Sequence, residues 1–276
     1  MDYQVVRPRG GHSTTVVQYQ ETRGSPMFAP LRRAFWVRSA LLLGLLWLPA
    51  TTCRGGLPTA DWLPADVKFH LSIVDYPTYK PLFDQTGPGQ LLLDKAMLPF
   101  LKDVPSQLRS RGRASWVGLM WVDLGIDWNQ FASVPSGEVS WAVFNVDESP
   151  AAVLFAEVAG KDAEVKRLRG KIAAAMAKQN VKPTSQVIDG TTVTLYELPE
   201  RGQMAATKYI HYVRNGYFVA SQHVALAKEM LPRVGVEQSD NLSGLASYQY
   251  VMNECRTTSE KPPHVALYLV PFDCLE

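Results

Sequence analysis

The sequence predicts an α+β fold, a largely antiparallel sheet with helices packed mainly on one face. Three observations carry this. Residues 137–160, GEVSWAVFNVDESPAAVLFAEVAG, read as two adjacent strands joined by a short turn. Val165, Leu168, Ile172, Ala175 and Met176 then recur at helical spacing. Asp189-Gly190 and Asn215-Gly216 each sit between apolar runs. Such dipeptides favour hairpins, because both turn residues need positive φ.

In the first pair, Val139, Trp141 and Val143 share one strand face, and Ala142, Phe144 and Val146 share the other. A strand apolar on both faces belongs inside a covered sheet. Only Glu138 and Ser140 break the pattern. Asp147-Glu148-Ser149-Pro150 carries turn chemistry, and 151–158 is the return strand. A helix follows at 162–178, with Asp162 as expected N-cap and Lys178 at the end that suits the helix dipole. Its basic cluster, Lys166, Arg167, Arg169 and Lys171, reads as a solvated outer face.

A length of 276 residues admits one large domain or two smaller ones. A hydrophobic share of 46% excludes disorder as the main state. The net charge is +2, and no basic stripe is interleaved with aromatics, so no nucleic-acid partner is expected. Three cysteines are too few for a disulfide scaffold.

The N-terminal part reads as an address. Residues 1–26 are polar and without hydrophobic period; they are either disordered or upstream of a true start at Met27. Residues 27–53 have the layout of a signal peptide: Arg32, Arg33 and Arg38, then the apolar run from Ala40 to Leu48, then small residues. That run is shorter than the roughly 20 residues of a spanning helix. The expected location is therefore the periplasm or cell envelope, with membrane contact only through the signal or a lipid anchor. Arg32-Arg33-Ala34-Phe35-Trp36 resembles a twin-arginine signal as well as an ordinary basic leader. Cys53 closes a stretch similar to a lipoprotein box, from which Ala50 and Thr52 depart. Lipidation at Cys53 and ordinary cleavage near Thr52 or Gly55 both stand.

Residues 54–62 read as a linker and 63–261 as the α+β domain. Val67, Phe69, Leu71 and Ile73 alternate with Lys68, His70 and Ser72, as in a half-buried strand with His70 on the wet side. A helix is expected over 78–85, stopped by Gly87-Pro88-Gly89. The 94–108 segment is helical but interrupted at Pro99 and Pro105. The 116–124 run fits either helix or strand. Asp127-Trp128-Asn129-Gln130 resembles a capping box, and caps explain Asp123, Asp127 and Asn129 better than a calcium loop. The hairpins come next. Ser221 is expected to cap a helix carrying Val224, Ala227 and Leu231. Ser247 is expected to cap another, with Tyr250, Val251 and Cys255 inward. Residues 265–270 form the last strand.

That last strand echoes the first. Pro64, Val67, Phe69, Leu71 and Asp75 recur as Pro262, Val265, Leu267, Leu269 and Asp273. Residues 262–276 are thus either the closing strand of the sheet or the start of a second repeat.

The stretches LPADVKFHLSIVD, LLLDKAMLPFLKDV, LGIDWNQFASVPSGEVSWAVF and SYQYVMNEC resemble a family of uncharacterised exported bacterial proteins seen chiefly in planctomycetes. The resemblance spans about residues 60–276. It implies an exported location, a longer chain and a non-enzymatic character, with no substrate or cofactor.

Catalytic patterns are not found. The histidines are scattered, and no zinc, nucleophile-elbow, Walker or dinucleotide motif occurs. Asp147 and Glu148 are adjacent carboxylates in an expected turn. Tyr209, His211 and Arg214 share a hairpin, but His211 and Arg214 differ in face parity. Cys255 and Cys274 are candidates for a disulfide after export. No catalytic residue, metal ligand or cofactor is assigned. The expected role is binding or scaffolding of an envelope protein or ligand, against an alternative envelope hydrolase whose site is assembled from distant segments.

Overall fold

Val139–Val146 (β2) and Ser149–Glu157 (β3) form the centre of the sheet, paired from Val139·Ala156 to Val146·Ser149. Residues 139–144 are all buried, as a run apolar on both faces requires. The computed structural model describes residues 56–97, 99–100, 131–147, 149–200, 206–257 and 263–270, all within the compact unit Cys53–Glu276. Around the central pair lie Phe69–Ile73 (β1), Thr184–Ile188 (β4), Thr191–Leu198 (β5), Thr207–Arg214 (β6), Tyr217–Ser221 (β7) and Val265–Leu269 (β8). All neighbours are antiparallel, in the order β4-β5-β6-β7-β3-β2-β1-β8. Both expected hairpin turns are present, with φ of 47° and 75° at Asp189 and Gly190 and of 48° and 79° at Asn215 and Gly216.

Alternation along the strands builds two cores. On one face, Trp141, Leu154, Ala156, Tyr196, Tyr209 and Phe218 meet Tyr76 of helix α1 (Tyr76–Asp84) and Val165, Leu168, Ile172 and Met176 of helix α3 (Asp162–Lys178). On the other, Phe144, Val153, Phe155, Tyr212 and Val219 meet Trp62, Leu63 and Leu226, Ala227 and Met230 of helix α4 (Val224–Met230). Tyr248 and Met252 of helix α5 (Ala246–Thr257) pack on that second core. Each large apolar side chain taken from water contributes about 1.5–3 kcal/mol. The α+β class and the antiparallel sheet stand as read. The helices, expected mainly on one face, are shared between the two, because a long central sheet buries both its faces.

Several local expectations change. Gly87-Pro88-Gly89 does not end a helix but opens one, α2 (Gly87–Leu93), with Thr86 accepting the Gly89 N–H and Pro88 in the first turn. Proline is tolerated there, since that N–H has no helical partner. Asp162 is the first helical residue of α3, not its cap. Ser221 ends β7, and His223 caps α4 by accepting the Leu226 N–H. Ser247 bonds Tyr268 Oη at 3.0 Å instead of capping α5. Tyr250 and Cys255 are exposed, with Tyr248 and Met252 inward in their place. Residues 54–62 were expected as linker; of those described, Gly56, Leu57 and Pro58 are exposed, but Thr59, Ala60 and Trp62 are buried. The last strand lies beside β1 in the same sheet. Residues 1–55, Cys53 among them, and the segments 101–130 and 271–276 lie outside the described residues.

Candidate functional site

Glu138, which directly precedes β2, Ser140 of β2, His70 and Ser72 of β1, and Glu157 of β3 fall on one face of the sheet. Ser72 is paired with Ser140, and the Glu157 N–H donates to Glu138 O at 2.8 Å. The 56–63 segment lies over them as a strap. Thr59 is in a short 3-10 turn, Thr59–Asp61. Its N–H donates to Glu138 Oε2 at 2.8 Å, and its hydroxyl to Glu138 Oε1 at 2.6 Å. Ser72 Oγ donates to the same Oε1 at 2.5 Å. Glu157 Oε1 accepts the Gly56 N–H at 2.7 Å, and its Oε2 accepts the Glu138 N–H at 3.3 Å. Tyr217 Oη and Trp62 Nε1 both donate to Leu57 O, at 2.7 and 3.2 Å. The Trp62 ring stands edge-on to Phe155 and Tyr217.

Thr59 Oγ1 also lies 2.9 Å from His70 Nε2. Its hydrogen is spent on Glu138, so it accepts from the imidazole, and His70 carries its proton on Nε2. Burial pushes the His70 pKa down to about 4. Burial also raises Glu138, and the Glu157 charge adds to this, while the bonds from Ser72 and Thr59 pull the other way.

The chemistry follows from these directions. An imidazole that donates to a hydroxyl is not its general base. Thr59, His70, Ser72, Glu138, Ser140 and Glu157 are all buried, none above 7% exposed. The cluster acts as a latch that fastens the strap to the sheet.

A second histidine lies on the opposite face. His211 is sandwiched between Tyr196 and Phe218, with ring centroids at 5.9 and 5.7 Å. Among the described residues, neither of its ring nitrogens has a hydrogen-bond partner. Burial, and then the nearby Arg169 charge, push its pKa down to about 3. Arg169 Nη2 donates to Thr194 Oγ1 at 3.2 Å. It is therefore half-buried, while its neighbours Lys166, Arg167 and Lys171 are exposed as the sequence suggested. A cleft of about 470 Å³ beside it is lined by Asp162, Val165, Lys166, Arg169 and Val213.

The other residues singled out in the sequence do not converge. Tyr209 shares the His211 face and accepts from Gln222, whereas Arg214 bonds Asp189 O and Thr191 Oγ1. Asp147 is exposed in its turn, and the Glu148 side chain lies outside the described residues. Cys255 is exposed on α5, and Cys274, like Asp123, Asp127 and Asn129, lies outside them. His70, read as a surface histidine, is 1% exposed, because the strap, Tyr248 and Tyr268 cover the face that alternation alone leaves wet. The sequence reading missed Thr59, Glu138 and Glu157 as a group. The signal was there in Glu138 and Ser140, two polar residues opening a strand otherwise apolar on both faces.

Among the described residues, no group of three or more His, Cys, Asp and Glu side chains is arranged to hold a metal ion. Among them, too, no helix is long and apolar enough to cross a membrane. No family model, curated protein or solved structure matches this chain.

Proposed function

We propose that this chain is an exported envelope protein that works by binding or scaffolding. One observation carries the reading. Val265, Leu267 and Leu269 lie on the sheet face that carries Phe69 and Leu71, with 37%, 52% and 47% of their surface exposed, and β8 has only β1 beside it among the described residues. An open strand edge with an apolar row is a surface built for pairing. The layout of residues 27–53 supports export.

The alternative, a hydrolase, draws support from the assembly of Thr59, His70, Ser72, Glu138 and Glu157 out of distant segments. Their burial and the direction of the Thr59–His70 bond favour the latch instead.

Two measurements test the proposal. Fractionation of the native cells with N-terminal sequencing is expected to place a chain cleaved near residue 52 in the envelope; an uncleaved cytosolic chain overturns export. A photo-crosslinker at position 267 is expected to capture an envelope component that one at position 171 does not. Labelling by a fluorophosphonate probe, lost in Thr59→Ala or Ser72→Ala, would establish the hydrolase in its place.

A further inference from the structure

Asp162, Val165, Lys166 and Arg169, four of the five residues that line the cleft beside α3, are spaced i, i+3, i+4 and i+7. That spacing sets them on one side of the helix. Val213 of β6 lines the cleft from the sheet side. At about 470 Å³ it has the size of a small-ligand pocket, which runs from about 300 to 1,000 Å³. Its lining is a charged row beside two valines: one carboxylate, one ammonium and one guanidinium, with Val165 and Val213.

The two cations have capacity to spare. Lys166 and Arg169 are three residues apart on the helix, and like charges so placed repel. Lys166 is exposed and makes no ion pair among the described residues. Arg169 gives one nitrogen, Nη2, to Thr194 Oγ1. That bond fixes the half-buried guanidinium, and its other nitrogens make no hydrogen bond among the described residues. Thr194 stands opposite His211 in the β5–β6 register. His211 is two positions from Val213 on the same face of β6. It is buried, and both its ring nitrogens lack a partner among the described residues. A fixed guanidinium fork, a second cation and an apolar floor together suit an anion with an apolar tail.

The lining also selects the class of anion. Asp162 opposes a second negative charge, so the row favours a monoanion over a phosphate dianion. A carboxylate is planar and matches the guanidinium fork, and its chain has Val165 and Val213 to lie on. We propose that the cleft between α3 and β6 is a binding site for a small organic carboxylate with an aliphatic chain, held by Arg169 and Lys166. The site goes beyond the pairing edge: β7, β3, β2 and β1 lie between β6 and β8, and it does not depend on export.

The probe is hexanoate, titrated calorimetrically into the full chain. Saturable binding is expected, with a Kd of about 0.1–1 mM. It is expected to be about tenfold tighter than that of acetate, which has no chain to lay on the valines. Hexanol and inorganic phosphate are expected to bind at least about tenfold more weakly than hexanoate. Arg169→Lys keeps the charge and loses the fork, and is expected to weaken hexanoate about tenfold. Lys166→Gln, at an exposed position that asks little of folding, is expected to weaken it about threefold. Asp162→Asn removes the repulsion and is expected to tighten it about twofold. Lys171→Gln, on the same helix but outside the cleft, is expected to leave it unchanged. No saturable binding of hexanoate, hexanol bound as tightly, or equal effects of Lys166→Gln and Lys171→Gln overturns the site. Phosphate bound more tightly than hexanoate overturns the carboxylate assignment. Capture by the crosslinker at position 267 is expected to be the same in all these variants, so failure at the cleft and failure at the β8 edge are seen apart.

Discussion

Thr59 and Glu138, 79 positions apart in the chain, are joined twice: the Thr59 N–H meets Glu138 Oε2 at 2.8 Å, and the Thr59 hydroxyl meets Glu138 Oε1 at 2.6 Å. With Ser72 on the same carboxylate, a buried acid spends its charge on three donors and fixes the strap to the sheet. A buried carboxylate is tolerated only when satisfied in this way.

Removing that acceptor leaves the donors unpaired under the strap. Glu138→Ala is expected to cost roughly 3–5 kcal/mol, and Glu138→Gln less, about 1–3 kcal/mol, because the amide keeps one acceptor. Urea unfolding measures both. A loss below about 1 kcal/mol in Glu138→Ala would show that the latch does not hold the strap.

Two glycines separate packing from propensity. A Cβ at Gly137 would collide with the Glu157 carboxylate, which Gly56 and Glu138 hold in place. Gly137→Ala is expected to destabilise by about 1–3 kcal/mol. Gly170 is an exposed position inside α3, with nothing within 4 Å of where an added methyl would stand. Gly170→Ala is expected to stabilise by about 0.5–1 kcal/mol. Thermal unfolding of the pair tests the opposite signs.

Acid is expected to weaken the fold through its histidines. His70 and His211 are held near 4 and 3, below the ordinary 6.5. As pH falls through 6.5 the unfolded chain takes up protons that the folded chain refuses. Stability is therefore full above that value and declines as pH falls towards about 3. Glu138, held above its ordinary 4.5, acts oppositely, since there the folded chain keeps a proton the unfolded chain releases. The histidines' own contribution is a loss of a few kcal/mol between about pH 7 and about pH 4, against which Glu138 acts. Urea midpoints across this range measure it. His211→Phe keeps the ring between Tyr196 and Phe218 and removes two unpartnered nitrogens. It is expected to leave stability at neutral pH unchanged or higher by about 1 kcal/mol and to flatten the acid decline.

The basic helix face divides in two. Lys171→Ala, at an exposed position, is expected to change stability by less than about 0.5 kcal/mol. Arg169→Ala loses the bond to Thr194 and is expected to cost about 1 kcal/mol. Equal effects in denaturant titrations would refute the division.

Hairpins and α3 were legible because their signals are local. Asp189-Gly190 and Asn215-Gly216 select a turn by their own backbone freedom, and the α3 stripe repeats within one helix. The α2 start was misread because Gly87-Pro88-Gly89 serves equally as a stop and as a first turn, and only Thr86 accepting the Gly89 N–H decides. The α5 face turned on Tyr248 and Tyr268, residues 20 positions apart whose rings meet at 5.4 Å.

By itself, the sequence determined the fold class, the hairpins, the central pair and the extent of α3, since alternation, turn chemistry and helical period act over a few residues. Only the tertiary structure decided that His70 is buried, that Thr59 closes over Glu138, that the helices divide between two faces and that β8 lies against β1. Each of these depends on which distant segment covers a given face. Strand periodicity says that a face is one-sided or two-sided, but it does not say what lies on it.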